Sequence, residues 1–155
     1  MAPEESPSAA DAAARVRGLF DRAVVFFNAE AFFEAHEDWE TLWLEAEGAR
    51  REWLQGLIQF AAGFHHVVRG TASGFAKLMR SAAAKAGSYP GDTHGIDFAS
   101  LWVELAPWIA HGERVGAGAA LRAGAPASFP KIAYKPGVVP MPAAPDDDDD
   151  PEHGA

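Results

Sequence analysis

The chain has 155 residues, 48% of them hydrophobic with five Trp and ten Phe, which suffices for one substantial core and points to a single domain. It contains no Cys, so disulfides and thiolate zinc sites are excluded, and any metal must be held by His, carboxylate or amide groups. A formal charge of −9 argues against duplex nucleic acid as a partner, because phosphate binding draws on clustered Lys and Arg.

Residues 1–10 are rich in Pro, Ser and Ala, the composition of a flexible arm, and no base precedes Arg15. They lack the charged start and apolar run of a secretory signal, so a cytoplasmic location is expected. From Asp11, Val16, Leu19, Phe20, Ala23, Val24 and Phe27 recur at three- and four-residue spacing and predict an amphipathic first helix ending near Asn28. Asn tolerates the left-handed conformation, which suits a corner at Asn28–Ala29.

A second helix is predicted over about 31–46, with an apolar face of Phe32, Ala35, Trp39, Leu42, Trp43 and Ala46. At 100° per residue His36 points inward and Glu40 lies on the border, while Glu34, Asp38 and Glu45 point away. Between Asn28 and Ala49 there are seven acids and no base. Gly48 breaks the pattern, and a third helix over about 50–69 is apolar around most of its circumference, as a central helix should be. Its one polar stripe comprises Glu52, Gln55, Gln59 and His66. His65 falls in the apolar stripe and reads as core. Gly56 and Gly63 imply a close neighbouring helix, because helix-interior Gly costs up to about 1 kcal/mol. No window reaches the roughly 20 apolar residues of a membrane span, since Gln55, Gln59, His65 and His66 interrupt the most apolar stretch.

Gly70 as a cap and Thr71 as an N-cap predict a fourth helix over about 72–87, with Lys77, Arg80 and Lys85 placed to face the acidic second helix. After the turn-rich YPGDTHGID, Asp97 is placed to N-cap a fifth helix through Phe98, Leu101, Trp102, Leu105 and Ile109, which Pro107 bends or shortens. His111 has no supporting pattern. Residues 113–155 read as a Pro/Ala/Gly-rich acidic tail, mostly disordered, with five consecutive Asp and a short extended segment at Lys131–Tyr134. The expected fold is all-α, an up-and-down bundle of about five helices over residues 11–112.

The strings FNAEAFFEAHEDWETLW (27–43), WLQGLIQFAAGFHHVVRG (53–70), TASG and YPGDTHGIDF (89–98) occur in the order of a known family. Over about residues 19–105 the chain resembles the domain-of-unknown-function family numbered 309, small all-helical bacterial and plastid proteins. The resemblance implies a helical fold and no particular activity. It marks Phe33, Glu34, His36, Glu37, Gln55, Gly56, Gln59 and His66 as matching the family pattern.

A short link at Gly48 makes the second and third helices antiparallel neighbours, so His36 and Glu40 are expected to face Gln55, Gln59 or His66. Two readings follow for the cluster His36, Glu37, Glu40, Gln55, Gln59 and His66. In the favoured one it is a hydrogen-bonded network that fixes helix register within a binding or interaction module. In the alternative, a metal-dependent, hydrolase-like enzyme uses His36, Glu37 and Glu40 as ligands or base with His66 as partner, the metal held by His36, Glu40 and His66. A divalent cation is the one cofactor in view. The spacings match neither the paired His of zinc peptidases nor the Glu-x-x-His of di-iron bundles. No Ser or Thr has a base at recognisable spacing, and no Gly-rich loop is built to hold phosphate. A homodimer burying Trp102 and Trp108 is a third, separate expectation.

Overall fold

The computed structural model describes residues 8–70, 74–87, 95–115, 124–126 and 128–135. Most of the N-terminal arm, the proposed Thr71 cap, the Tyr89–His94 loop and the five-Asp run lie outside them. Five helices follow one another: α1 (Ala9–Asn28), α2 (Phe32–Glu45), α3 (Gly48–Arg69), α4 (Phe75–Ala86) and α5 (Phe98–Val115). Among the described residues there is no strand, only an isolated antiparallel bridge between Ile96 and Tyr134. The expected all-α bundle is what the chain forms. No helix among the described residues is long and apolar enough to cross a membrane.

Local signals place the helix ends. Ser8 caps α1 by accepting from the Asp11 amide, and Gly70 closes α3 at φ 72°. Asp97 caps α5 as expected: its Oδ1 accepts from the Ser100 amide at 3.1 Å. Pro107 sits inside α5 without ending it, and the helix runs on to Val115. The corner after α1 differs from expectation. Glu30, at φ 66°, takes the left-handed conformation, while Asn28 stays helical and uses its side chain elsewhere.

Each helix packs on its neighbours in sequence, with α3 between α2 and α4. Trp39, Trp53, Phe27, Phe32, Phe60, Phe64 and Phe75 are fully buried, and each such side chain contributes about 1.5–3 kcal/mol. The predicted close approach lies between α3 and α4. A Cβ on Gly56 would stand 2.7 Å from the Ala86 amide nitrogen, and one on Gly63 would overlap Met79.

Charges pair differently from the sequence reading. The acidic α2 faces α1, not α4: Arg22 forks onto Asp38 with two bonds of 2.7 Å, and Arg15 onto Glu45 at 2.8 and 2.9 Å. Asp38, expected to point away, is only 7% exposed. A wheel of α2 registers the apolar face alone, whereas a bidentate guanidinium lets a carboxylate sit on a buried face. Arg80 of α4 pairs with Glu113 of α5.

The packing continues beyond Gly112. Residues 128–135 lie extended over the ends and seams of α1, α2 and α5. Phe129 stacks on Trp108 (centroids 5.1 Å, 7°) and meets Phe32 and Phe64 edge-on. The Asn28 carboxamide donates to the Ile132 carbonyl at 2.9 Å and accepts from its amide at 2.7 Å. Ala133 and Lys135 continue this pairing with the Asp97 amide and the Gly95 carbonyl. The phenol of Tyr134 donates to Asp21, and burial together with that carboxylate pushes its pKa upward. Trp108, one of the two tryptophans behind the homodimer expectation, is thus covered by the chain itself, and Trp102 packs on Phe60 and Phe98.

Candidate functional site: a histidine-lined cleft between α2 and α3

The start of α2 lies against the end of α3, and at that end a cleft of about 260 Å³ opens, lined by Phe33, His36, Ala62, His65 and His66. Phe33 is 46% exposed and forms an aromatic wall, its ring centroid 6.1 Å from His36 in a stacked arrangement and 5.4 Å from His65. The His65 and His66 centroids are 5.9 Å apart. His36 Nε2 faces Glu40 Oε2 one turn along α2 at 3.6 Å, beyond hydrogen-bond length but within electrostatic reach. A carboxylate there favours the proton on Nε2, which leaves Nδ1 as the acceptor. That Nδ1 is buried and has no hydrogen-bond partner among the described residues.

His65 sits where burial and neighbouring charge both act on its ring. Burial pushes its imidazole below the ordinary value, the charges of His66, Arg69 and His36 act in the same direction, and Glu34 opposes them.

The sequence cluster divides here. His36 and His66 meet at the cleft, with Glu40 at its edge. Glu37 is exposed, and its main-chain carbonyl accepts the Thr41 hydroxyl at 3.0 Å. Gln59 turns away: its Oε1 accepts from Ser81 of α4 in a long bond of 3.4 Å. Gln55 is half-buried and does not line the cleft. At 100° per residue, Gly56 and Gly63 stand about 40–60° to one side of Gln59, and Ala62 and His65 about 60–120° to the other. The first pair packs on α4 and the second lines the α2 cleft, so the polar stripe of α3 runs between its two neighbours. Gln59 and His66, two turns apart, are also separated by about 10 Å along the axis.

His65 was assigned to the core from its stripe, yet it is half-buried and forms part of the cleft. The available signal was its place near the end of α3, where the facing stretch of α2 is Phe33 and His36. His111, without pattern in the sequence, is 3% exposed inside α5 with Nδ1 3.5 Å from Arg114 Nη2. Among the described residues no three His, Asp or Glu side chains come together as a set that can hold a metal ion. His36, Glu40 and His66 are therefore neighbours of one cleft rather than an assembled ligand shell.

Residues 20–78 match the model of a family described as "Domain of unknown function (DUF309)". Over these residues the chain is similar to the DUF309 family. The DUF309 segment runs from the second half of α1 into α4, and so contains the whole α2–α3 hairpin and every residue of the cleft. It is shorter than the 19–105 of the resemblance, and α5 and the extended segment 128–135 fall outside it. No curated protein and no solved structure matches the chain.

Proposed function

We propose that this chain is a small helical binding module whose ligand site is the cleft between α2 and α3. The observation that carries the reading is an incomplete polar cluster beside an open cavity. A network built only to fix helix register satisfies its members, because a partly satisfied one costs more than an apolar substitute. Here Gln59 is committed to α4, the His36–Glu40 contact stays within one helix, and His36 Nδ1 is buried without a partner among the described residues. Three imidazoles and a half-exposed Phe line the cleft wall. That is the composition of a binding site: apolar surface with a few polar groups converging on it. The cavity, about 260 Å³, lies just under the usual range for drug-sized ligands, which fits an occupant the size of one ring or one side chain.

A fragment screen by NMR with labelled histidine rings tests this. Hits should shift the rings of His36, His65 and His66 together, and Ala62→Leu, which adds bulk on the lining, should abolish those shifts while the fold is kept. Hits that map elsewhere, or that survive Ala62→Leu unchanged, refute the cleft as the site.

A further inference from the structure

Away from the cleft, the bundle has a second surface that holds an extended chain, and its occupant is the protein's own segment 128–135. We propose that the face formed by the end of α1, the start of α2 and α5 is a docking site for an extended, basic peptide of this sequence, filled in cis by segment 128–135 and open to the same segment of a second copy of the chain.

Side-chain burial alone can hold a packed tail, whereas this face also grips the main chain. The Trp108 indole donates to the Ser128 carbonyl at 3.1 Å, the Glu104 carboxylate accepts from the Lys131 amide at 2.9 Å, and the Asn28 carboxamide pairs with both main-chain polar groups of Ile132. Beyond Ile132 the backbone of residues 95–97 takes over: the Asp97 amide donates to the Ala133 carbonyl, and the Gly95 carbonyl accepts from the Lys135 amide. Main-chain bonds of this kind give an extended peptide its affinity, and pockets for alternate side chains give it specificity. The pockets are present. Ile132 is 3% exposed and Tyr134 is half-buried with its ring 5.7 Å from that of Phe20, while Lys131, Ala133 and Lys135 face outward, the two-residue period of a strand laid on a surface. Phe129 fills a third pocket, between Phe32, Phe64 and Trp108.

Charge matches as well. The segment SFPKIAYK holds two Lys and no acid, in a chain of net charge −9. The face offers Asp21 to the Tyr134 hydroxyl and Glu30 to the Lys131 ammonium, the latter at 3.4 Å. That ammonium also donates to the Asn28 carbonyl at 2.7 Å, in the last turn of α1, which has no base of its own. A cation there offsets the negative end of the helix, so α1 is finished only when the segment is in place.

The face and its occupant are separate along the sequence. Asn28, Phe32 and Phe64 stand inside the residues that match the family model, 20–78, and the segment stands well outside them. Twelve residues, 116–127, join it to α5, and twelve extended residues reach about 40 Å, far enough for a neighbour's face as well as the chain's own. An element exchanged between copies through such a connection repeats the contacts it makes in cis and needs no new interface. The tether favours the cis form, because it holds the segment beside its own face at an effective concentration of about millimolar, and exchange follows when the cis contact is weakened. The exposure of the segment fits an element that can leave: of its eight residues only Pro130 and Ile132 are buried.

The test uses full-length chains and a labelled peptide of residues 128–135. Ile132→Asp undocks the chain's own segment, and Lys131→Glu, at an exposed position, serves the same end if the first variant loses helix by circular dichroism. The peptide should bind the Ile132→Asp chain about tenfold or more tighter than it binds the parent, whose face is filled in cis, and should return the Trp108 indole N–H resonance to its parent position. The same peptide carrying Ile132→Asp should not bind. Mixing the Ile132→Asp chain with one carrying Asp21→Ala and Asn28→Ala, which keeps its segment and loses two of the groups that hold it, should give a 1:1 dimer by light scattering, each chain alone being monomeric. Absence of peptide binding at about millimolar concentration overturns the docking site and leaves 128–135 a fixed part of the fold. Equal binding to parent and variant puts the peptide elsewhere and overturns it too. Peptide binding without a dimer on mixing overturns the second copy as the occupant.

Discussion

The contact between α3 and α4 allows a quantitative test at Gly56. Replacing it with Ala removes the propensity penalty of a helix-interior Gly, a gain of up to about 1 kcal/mol. Against this, the new Cβ would lie 2.7 Å from the Ala86 nitrogen, 2.8 Å from the Ala82 carbonyl oxygen and 2.9 Å from the Ala86 Cβ. Comfortable carbon contacts are about 3.5–4.0 Å, so two helices must separate by the better part of an ångström. Two of the three obstructing atoms are backbone and the third is fixed to it, so no rotamer change relieves them. Overpacking costs about 1–3 kcal/mol, and a backbone obstacle places this case toward the upper end. The net expectation is destabilisation by about 1–2 kcal/mol. Gly18 is the internal control: it is exposed in α1 with nothing within 4 Å of a built Cβ, so Gly18→Ala should stabilise by about 0.5–1 kcal/mol. With urea m-values of about 1–3 kcal/mol per molar, the two midpoints should move in opposite directions by several tenths of a molar or more. A Gly56→Ala midpoint that rises alongside that of Gly18→Ala would show that the helices are not in the tight contact described.

Three further perturbations probe other links. Asn28→Ala removes both bonds to the buried Ile132 backbone and should cost about 1–3 kcal/mol in denaturant melts; an unchanged midpoint would mean that segment 128–135 is not held there. Arg22→Ala should destabilise more than Arg15→Ala, because it strands Asp38 at 7% exposure whereas the Glu45 side chain is 51% exposed; equal effects contradict the buried-pair argument. His65 has a folded pKa below its ordinary 6.5, so below pH 6.5 the unfolded chain takes up protons that the folded chain does not. Its contribution to stability is full above 6.5 and is lost as pH falls toward the folded value, and His65→Gln should flatten urea midpoints measured through that window. A slope as steep in the variant as in the parent refutes the assignment.

Much of the bundle was legible because periodicity reports burial directly. Trp39, Leu42, Trp53, Leu57 and Phe64 lie where three- and four-residue spacing put them, and Gly56 and Gly63 mark a close approach. What was missed has one physical source: a helical wheel describes one helix, while a polar group's fate is decided by its neighbour. Asp38 is buried because α1 delivers Arg22, and Gln59 leaves the cluster because α4 delivers Ser81. Asn28 showed the same limit. Its residue type is equally suited to a left-handed corner and to pairing with an extended chain, and only the arrival of Ile132, 104 residues later, chooses between them.

That long-range pairing bears on how the cleft is supported. Phe32 and Phe33 are adjacent, but they face opposite surroundings: Phe32 is buried against Phe27, Phe64 and Phe129, while Phe33 forms the cleft wall beside His36 and His65. The first turn of α2 is therefore held from behind by a ring carried on segment 128–135, outside the DUF309 segment. Alpha3 is gripped in the same way, since Phe64, next to His65, also meets Phe129 edge-on. One side chain far along the chain thus steadies both walls of a cleft that it does not line.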